Sequence, residues 1–285
     1  MTGFEHLSGK FVKVSTPAPH VALVELARQP LNSFTPEFWV EYGEVFDKLS
    51  LEPEVRVIVL ASALPKLFAA GIDFQALTPS PGAHPDVGRR AIQLRHHIKG
   101  FQDSISAPSR CPYPVIAAVH GHTIGLGIDI ISACDVRLAA ADAKLSIKEV
   151  DVGLAADIGT LARVPKVVGN QSLVYEVALT GRSFSAVEAE KMGFVSKVVP
   201  GSRDEVVREA LEMAKLIAKK SPVAVVGTKR VLQHARENTV EDNLEYVAIW
   251  NASMVQAADV QISVDAAKAK KSGTFPSLGK YPAKL

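Results

Sequence analysis

A short, wholly apolar run from Val115 to Val119 is followed by a glycine-rich turn at 121–127, a helix-like stretch at 128–134 and another strand at 136–139. A run without polar alternation reads as a strand covered on both faces, and the order strand, turn, helix, strand is that of a unit whose strands lie parallel beneath a helix. The same order opens the chain. Residues 11–15 and 20–26 are rich in β-branched and apolar side chains, and Thr16, Pro17, Ala18 and Pro19 between them predict two strands joined by a turn. Thr35 then supplies an N-cap and Pro36 a first helical position, Phe38, Val45, Phe46 and Leu49 give most of an apolar stripe, and 55–60 reads as the next strand. The fold class is α/β with parallel sheets. Spacing alone leaves a Rossmann sheet and other windings equally open.

Beyond Pro200 the pattern becomes helical. Ser202 with Glu205 forms a capping box, and Val206, Val207, Ala210, Leu211, Ala214, Leu216 and Ile217 keep helical spacing. Pro222 is expected to end that helix, and 223–234 and 240–258 continue the helical pattern. The division expected is a core over 1–200 and a helical region over 201–285 that packs on the core or on a neighbouring subunit. Between the early units, 78–88 collects Pro79, Ser80, Pro81, Gly82, Ala83, His84 and Pro85, which predicts a loop.

Composition narrows the partners. With 32 basic and 30 acidic residues the net charge is +2, which implies no nucleic acid or other polyelectrolyte. Cys111 and Cys134 provide neither a disulfide framework nor metal-ligand spacing, so a reducing compartment is expected and no metal. Glu5 and His6 interrupt the place where a secretory signal would be apolar, and no window approaches the roughly 18 apolar residues of a membrane span, so a soluble, unsecreted protein with no membrane partner is expected. Ala283, Lys284 and Leu285 follow the small-basic-leucine pattern of a peroxisomal address; a frayed basic tail is the alternative.

The acids stand out next. Asp129 lies between Ile128 and Ile130, Glu149 follows Ile147 and Lys148, and Asp157 is flanked by Ala155, Ala156 and Ile158. Apolar surroundings raise a carboxyl pKa and let one acid hold a proton while another removes one. Each acid alone also reads as a helix cap or an ion-pair partner. Two glycine-containing turns, Phe68-Ala69-Ala70-Gly71-Ile72-Asp73 and Ile124-Gly125-Leu126-Gly127, can expose backbone N–H groups, the second at a helix start. A carboxylate base and fixed N–H donors are what proton removal beside a thioester requires, because the charge released collects on the thioester oxygen.

Over roughly 11–250 the chain resembles the crotonase family, the enoyl-CoA hydratases and isomerases. The motifs are Pro114-Val-Ile-Ala-Ala-Val-His-Gly-His-Thr-Ile-Gly-Leu-Gly-Ile-Asp129, Ser132-Ala-Cys-Asp-Val-Arg137 and Lys66-Leu-Phe-Ala-Ala-Gly-Ile-Asp73. The resemblance implies a spiral of ββα units with a helical C-terminal region, assembled as a homotrimer or homohexamer, and an oxyanion hole formed by the N–H groups of Ile72 and Leu126. The family's usual Gly-Gly-Gly is Gly125-Leu126-Gly127 here. Candidate substrate contacts are Lys66, Ala70, Gly71, Ile72, Asp73, Phe74 and Gly127; Lys66 reads as a contact to a coenzyme A phosphate or as a solvated surface lysine, and Phe74 as lining the site or as core.

Within the family, Lys148-Glu-Val-Asp-Val-Gly-Leu-Ala-Ala-Asp-Ile-Gly-Thr160 is similar to the dienoyl-CoA isomerase branch, whose catalytic carboxylates fall on Asp129, Glu149 and Asp157. That implies conversion of a 3,5-dienoyl-CoA to a 2,4-dienoyl-CoA in fatty acid β-oxidation. No cofactor is implied, coenzyme A being part of the substrate, and the compartment is the peroxisome, with the mitochondrion as alternative. The expected roles are Asp157 beside carbon 2, Glu149 beside carbon 6 and Asp129 in support. An enoyl-CoA hydratase or a 3-to-2-enoyl isomerase is the rival enzyme, and a non-catalytic acyl-CoA binding or scaffold protein the rival of another class.

Other residues carry less. His120 and His122 lack a third ligand at metal spacing and are expected to be structural or to line a pocket. Asp135 and Arg137 are expected to pair structurally, and Gly125-Leu126-Gly127 completes neither nucleotide-binding glycine pattern. Phe275 and Lys280 are candidates for a contact from the tail or from a neighbouring subunit.

Overall fold

The computed structural model describes residues 3–74 and 84–280. The tail triplet Ala283, Lys284 and Leu285 and most of the loop expected at 78–88 lie outside these residues.

Strands β1 (Val12–Ala18) and β2 (Val21–Leu26) form an antiparallel hairpin whose register shifts between Ser15 and Ala18. The expected turn at 16–19 is mostly strand: β1 is an edge strand, where Pro17 withholds no hydrogen bond that a neighbour needs. Helix α1 (Pro36–Ser50) starts at Thr35 with Pro at its first turn and buries Phe38, Tyr42, Val45, Phe46 and Leu49. Then come β3 (Val57–Ser62), β4 (Leu67–Ala69), α2 (Val87–Ile105) and α3 (Ala107–Arg110). After them β5 (Val115–Val119) and β6 (His122–Ile124) lead into α4 (Leu126–Ser132), followed by β7 (Val136–Ala140) and β8 (Lys144–Ser146).

Two sheets answer the question that spacing left open. One has the order β1-β2-β3-β5-β7-β10, parallel from β2 onward, with β10 at Lys197–Val199; the other has the order β4-β6-β8-β9, with β9 at Phe184–Ser185. Each long strand is followed within a few residues by a short strand in the second sheet: β3 by β4, β5 by β6, β7 by β8. The chain therefore winds as a spiral of ββα turns rather than as a single Rossmann sheet. Residues 121–127, expected as one turn, contain β6.

Helices α5 (Thr160–Val167), α6 (Gln171–Thr180) and α7 (Ala186–Lys191) follow β8, and α8 (Arg203–Ala218) follows β10 with the expected Ser202–Glu205 capping box. Alternate residues of β3 split between two cores. Ile58 and Leu60 face the large core with α1, whereas Val57, Val59 and Ala61 face α8 through Val206, Val207, Ala210 and Ala214. A fully buried valine or leucine contributes about 1.5–3 kcal/mol, so α8 is bound to the sheet as firmly as an interior element.

Pro222 opens α9 (Pro222–Glu237) instead of ending α8, which stops at Ala218; proline's missing N–H has no partner to lose in a first turn. Helices α10 (Val240–Met254) and α11 (Ala258–Lys268) complete the region and bury few of their own residues. No described helix is long and apolar enough to cross a membrane. Past α11, the Phe275 carbonyl accepts a hydrogen bond from Arg56 at 2.6 Å, at the start of β3.

Candidate active site

The site is assembled where the first two ββα turns leave the small sheet. After β4 the chain reaches Gly71 at φ +95°. Phe34 N–H donates to the Gly71 carbonyl at 2.9 Å and Asp73 N–H to the Phe34 carbonyl at 2.9 Å, so the intervening Ile72 N–H points away from that strand. Ala70 N–H is already used, by Leu31 O at 3.1 Å.

The second turn meets the first. Gly125 follows β6 at φ +52°, ψ −115°, and its N–H donates to Ser146 O at 2.9 Å. Leu126 and Gly127 then occupy the first two positions of α4, where N–H groups have no acceptor within the helix. A Cβ on Gly71 would stand 3.1 Å from the Ile124 carbonyl and 3.8 Å from Leu126 N, and one on Gly125 would stand 3.3 Å from Glu149 Oε1. Only glycine allows the turns to close on each other with the Glu149 carboxylate against them.

Three acids gather here in different states. Asp129, in the first turn of α4, is 1% exposed and accepts the Thr160 N–H on Oδ1 at 2.6 Å. Burial above all, and then the charge of Glu149, push its pKa up to about 7, against the opposing pull of the Thr160 hydrogen bond and the Arg163 charge. Glu149 opens a short 3-10 turn, Glu149–Val152; burial raises its pKa, backbone N–H groups of Glu149 and Lys148 draw it down, and the charge of Asp157 adds to the rise. Asp157 differs from expectation. It is exposed, on a stretch without regular secondary structure, although Ala156 and Ile158 beside it are half-buried. Its carbonyl accepts from Gln102 Nε2 at 2.6 Å.

The other expected contacts are scattered. Asp73 forms an ion pair with Arg28 at 3.2 Å. Phe74 is 69% exposed and Lys66 is exposed, with the Lys66 carbonyl packed under Gly121. Phe275 is tied to the end of β3 opposite the site of its own chain. His120 is buried against Leu64 O at 2.8 Å, a structural role, and burial lowers its pKa. Asp135 and Arg137 do not pair through their charged ends: the Asp135 carboxylate takes Val115 N–H and Lys229, whereas Arg137 donates to the carbonyls of Phe194, Ile131 and Cys134. Among the described residues no cluster of three His, Cys, Asp or Glu side chains could hold a metal.

Sequence reasoning missed two groups. Asn32, fully buried, donates to Ser62 Oγ at 2.8 Å and Phe68 O at 2.9 Å and so braces the first turn from behind. Beside the Arg28–Asp73 pair lies a cavity of about 740 Å³ lined by Lys10, Phe11, Arg28, Gln29, Thr35 and Glu37. A basic residue two places ahead of a proline and an asparagine after it are ordinary loop composition, so neither group carried a local signal.

A two-sheet ββα spiral that opposes two N–H turns across a carboxylate defines a class of enzymes acting on thioesters, and the sequence pattern of that class, enoyl-CoA hydratase/isomerase, matches residues 18–277. The chain belongs to this family. Among its relatives, the mitochondrial Delta(3,5)-Delta(2,4)-dienoyl-CoA isomerase of Rattus norvegicus is 44% identical over 94% of this chain and 83% of its own length. The peroxisomal protein of that name from Arabidopsis thaliana is 43% identical over 87% and 89%. An enoyl-CoA hydratase crystal structure from Bacillus anthracis superposes with a TM-score of 0.84 at 26% identity, covering 93% of this chain and 99% of that one.

Proposed function

We propose that this protein converts 3,5-dienoyl-CoA to 2,4-dienoyl-CoA, the reaction named in the rat and Arabidopsis relatives, with Asp129, Glu149 and Asp157 as its acids and the Ile72 and Leu126 N–H groups as its oxyanion hole. The observation that carries the reading is the Glu149 carboxylate lying against Gly125, beside the Leu126 N–H, with the Asp157 charge acting on it. A thioester oxygen between the two turns receives two N–H donors fixed in the backbone, which stabilise the dienolate formed when carbon 2 loses a proton. The proton returned goes to carbon 6, too far for one short side chain. Glu149, lying against the turn that holds the thioester oxygen and so beside carbon 2, removes the first proton, and Asp157 delivers the second at carbon 6, the reverse of the order expected from the sequence.

Asp129 serves from below. Its burial and its bond to Thr160 weigh against hydration, which needs a second carboxylate open to a water on the substrate. No cofactor enters this scheme. Coenzyme A would be received near Lys66 and the basic cavity edge at Lys10 and Arg28, and the compartments in the relatives' names support a place in peroxisomal or mitochondrial fatty acid oxidation. Exposed Leu232, Leu244, Ile249 and Val255 on the C-terminal helices and the following turn support assembly of copies through 201–285, as a trimer or hexamer.

The deciding experiment is an absorbance assay on the purified protein. A 3,5-dienoyl-CoA should gain the 2,4-dienoyl chromophore, whereas loss of a 2-enoyl band with no action on the diene would assign hydration. Tight acyl-CoA binding without turnover on any enoyl substrate would assign a binding protein.

A further inference from the structure

Asp157 sits in residues 153–158, between a 3-10 turn and α5, where no regular secondary structure fixes it. Proton transfer at two carbons of one rigid diene needs both carboxylates held to within about 0.5 Å, so something outside the segment must hold it. Three contacts do. The Asp157 carbonyl accepts from Gln102 Nε2 at 2.6 Å, and three residues on, Thr160 N–H is held by Asp129 at 2.6 Å. Between them the Arg163 guanidinium lies across Gly159, where any Cβ would collide with it, and ends on Ser106 Oγ at 2.5 Å.

Gln102 and Ser106 belong to the same end of α2. Gln102 stands in its last turn, Ser106 is its C-cap, and Ser106 Oγ donates to the Gln102 carbonyl. Phe101 and Ile105 anchor that turn in the core, Phe101 stacked on Trp39 at 4.9 Å. Lys99 Nζ donates to Gln102 Oε1 at 3.1 Å, which turns the amide so that its nitrogen faces Asp157. The grip is therefore made from an element fixed in the core, and no packing requirement explains the Gln102 amide, since the residue is only half-buried.

We propose that Gln102 is a positioning residue for Asp157: its side-chain amide, backed by the Ser106–Arg163 bond, sets where the Asp157 carboxylate stands relative to Glu149 and thereby fits the site to a conjugated diene. This rests on the reading of Asp157 as one of the proton-transfer acids. A reaction served by Glu149 alone would not need the grip.

The test is a double-mutant cycle on the full-length protein with a 3,5-dienoyl-CoA, using Gln102→Met, which keeps length and loses the donor, and Asp157→Asn. Gln102→Met should lower kcat by about 10- to 10²-fold with KM within about twofold, the size expected for a small misplacement of a reacting group. The double variant should be no slower than Asp157→Asn, because a residue acting only through Asp157 has nothing left to position. Wild-type kcat in Gln102→Met, a change confined to KM, or a loss that adds in full to that of Asp157→Asn would each overturn the proposal. Gln102→Ala, at the same half-buried position, repeats the measurement with a second side chain. Should Asp157→Asn itself turn over normally, the proton-transfer reading fails. If Asp157→Asn is inactive and Gln102→Met is not, only the positioning role fails.

Discussion

The Asp129 carboxylate holds the Thr160 N–H at 2.6 Å, and through it the first residue of α5 and the end of the segment that carries Asp157. An acid that the family resemblance places among the catalytic three thus joins two parts of the site from inside the protein, at 1% exposure.

That position has a signature in stability. Asp129 binds its proton more tightly folded than unfolded, so the stability linked to it is fully present below the ordinary value of 3.8 and is lost as pH rises through about 7. Asp129→Asn keeps an oxygen for Thr160 and removes the charge. In urea unfolding the variant should be about 1–3 kcal/mol more stable than the parent at pH 8, with the gap closing near pH 4. Equal midpoints at pH 8 would show that burial does not penalise this carboxylate.

Isotope exchange separates the two ends of the diene. With Asp157→Asn the proton at carbon 2 should still leave to Glu149 and return from solvent, so substrate in D₂O gains deuterium at carbon 2 while the 2,4-diene forms about 10²- to 10⁴-fold more slowly. Glu149→Gln should lose exchange and isomerisation together. The reverse pattern would exchange the two roles.

Much of the large sheet was legible because its strands are buried on both faces and its helices start at local signals: Val115 to Val119, Pro36 in the first turn of α1 and Ser202-Glu205 each act within a few residues, although the Thr35 side chain makes no capping bond. The small sheet was not. Strands β4, β6 and β8 have three residues each, too few to show a period. Helix α2 is exposed over most of its length and buries only Phe101 and Ile105, so it offers no stripe, and Gln102 with it stayed out of view. The three acids were picked out by their apolar neighbours and given their roles by motif likeness. Their unequal burial depends on contacts far apart in sequence, such as α5 closing over Asp129 in α4, and flanking residues could not report it.

Gly125→Ala tests the closure of the two turns. At φ +52°, ψ −115° an alanine is strained by about 1–3 kcal/mol, and its Cβ would press on Glu149 Oε1 from 3.3 Å. The variant should melt lower and lose at least about tenfold in kcat as the acid is displaced. Gly127→Ala is the control: its Cβ meets the Thr123 methyl at 3.1 Å, away from the carboxylate, so stability should fall and kcat should change less.

Asn32 gives the sharpest separation of bracing from chemistry. Fully buried at φ +49°, it accepts the Arg28 N–H at 2.8 Å and donates to Leu26 O, Ser62 Oγ and Phe68 O, tying the ends of β2 and β3 to β4. Its neighbour Leu31 holds Ala70 N–H, and Phe34 pairs across Ile72, so the N–H turn takes its position from this loop. Asn32→Ala leaves buried acceptors without donors and should cost about 2–4 kcal/mol in urea unfolding. Asn32→Asp should cost more, because it turns a buried charge toward carbonyl oxygens. In both variants kcat should fall with little change in KM, up to the roughly 10²- to 10³-fold that one oxyanion donor is worth, since a shifted Ile72 N–H is felt mainly when charge develops on the thioester oxygen. A variant that is destabilised yet keeps full kcat would show that Asn32 holds the fold and not the donor.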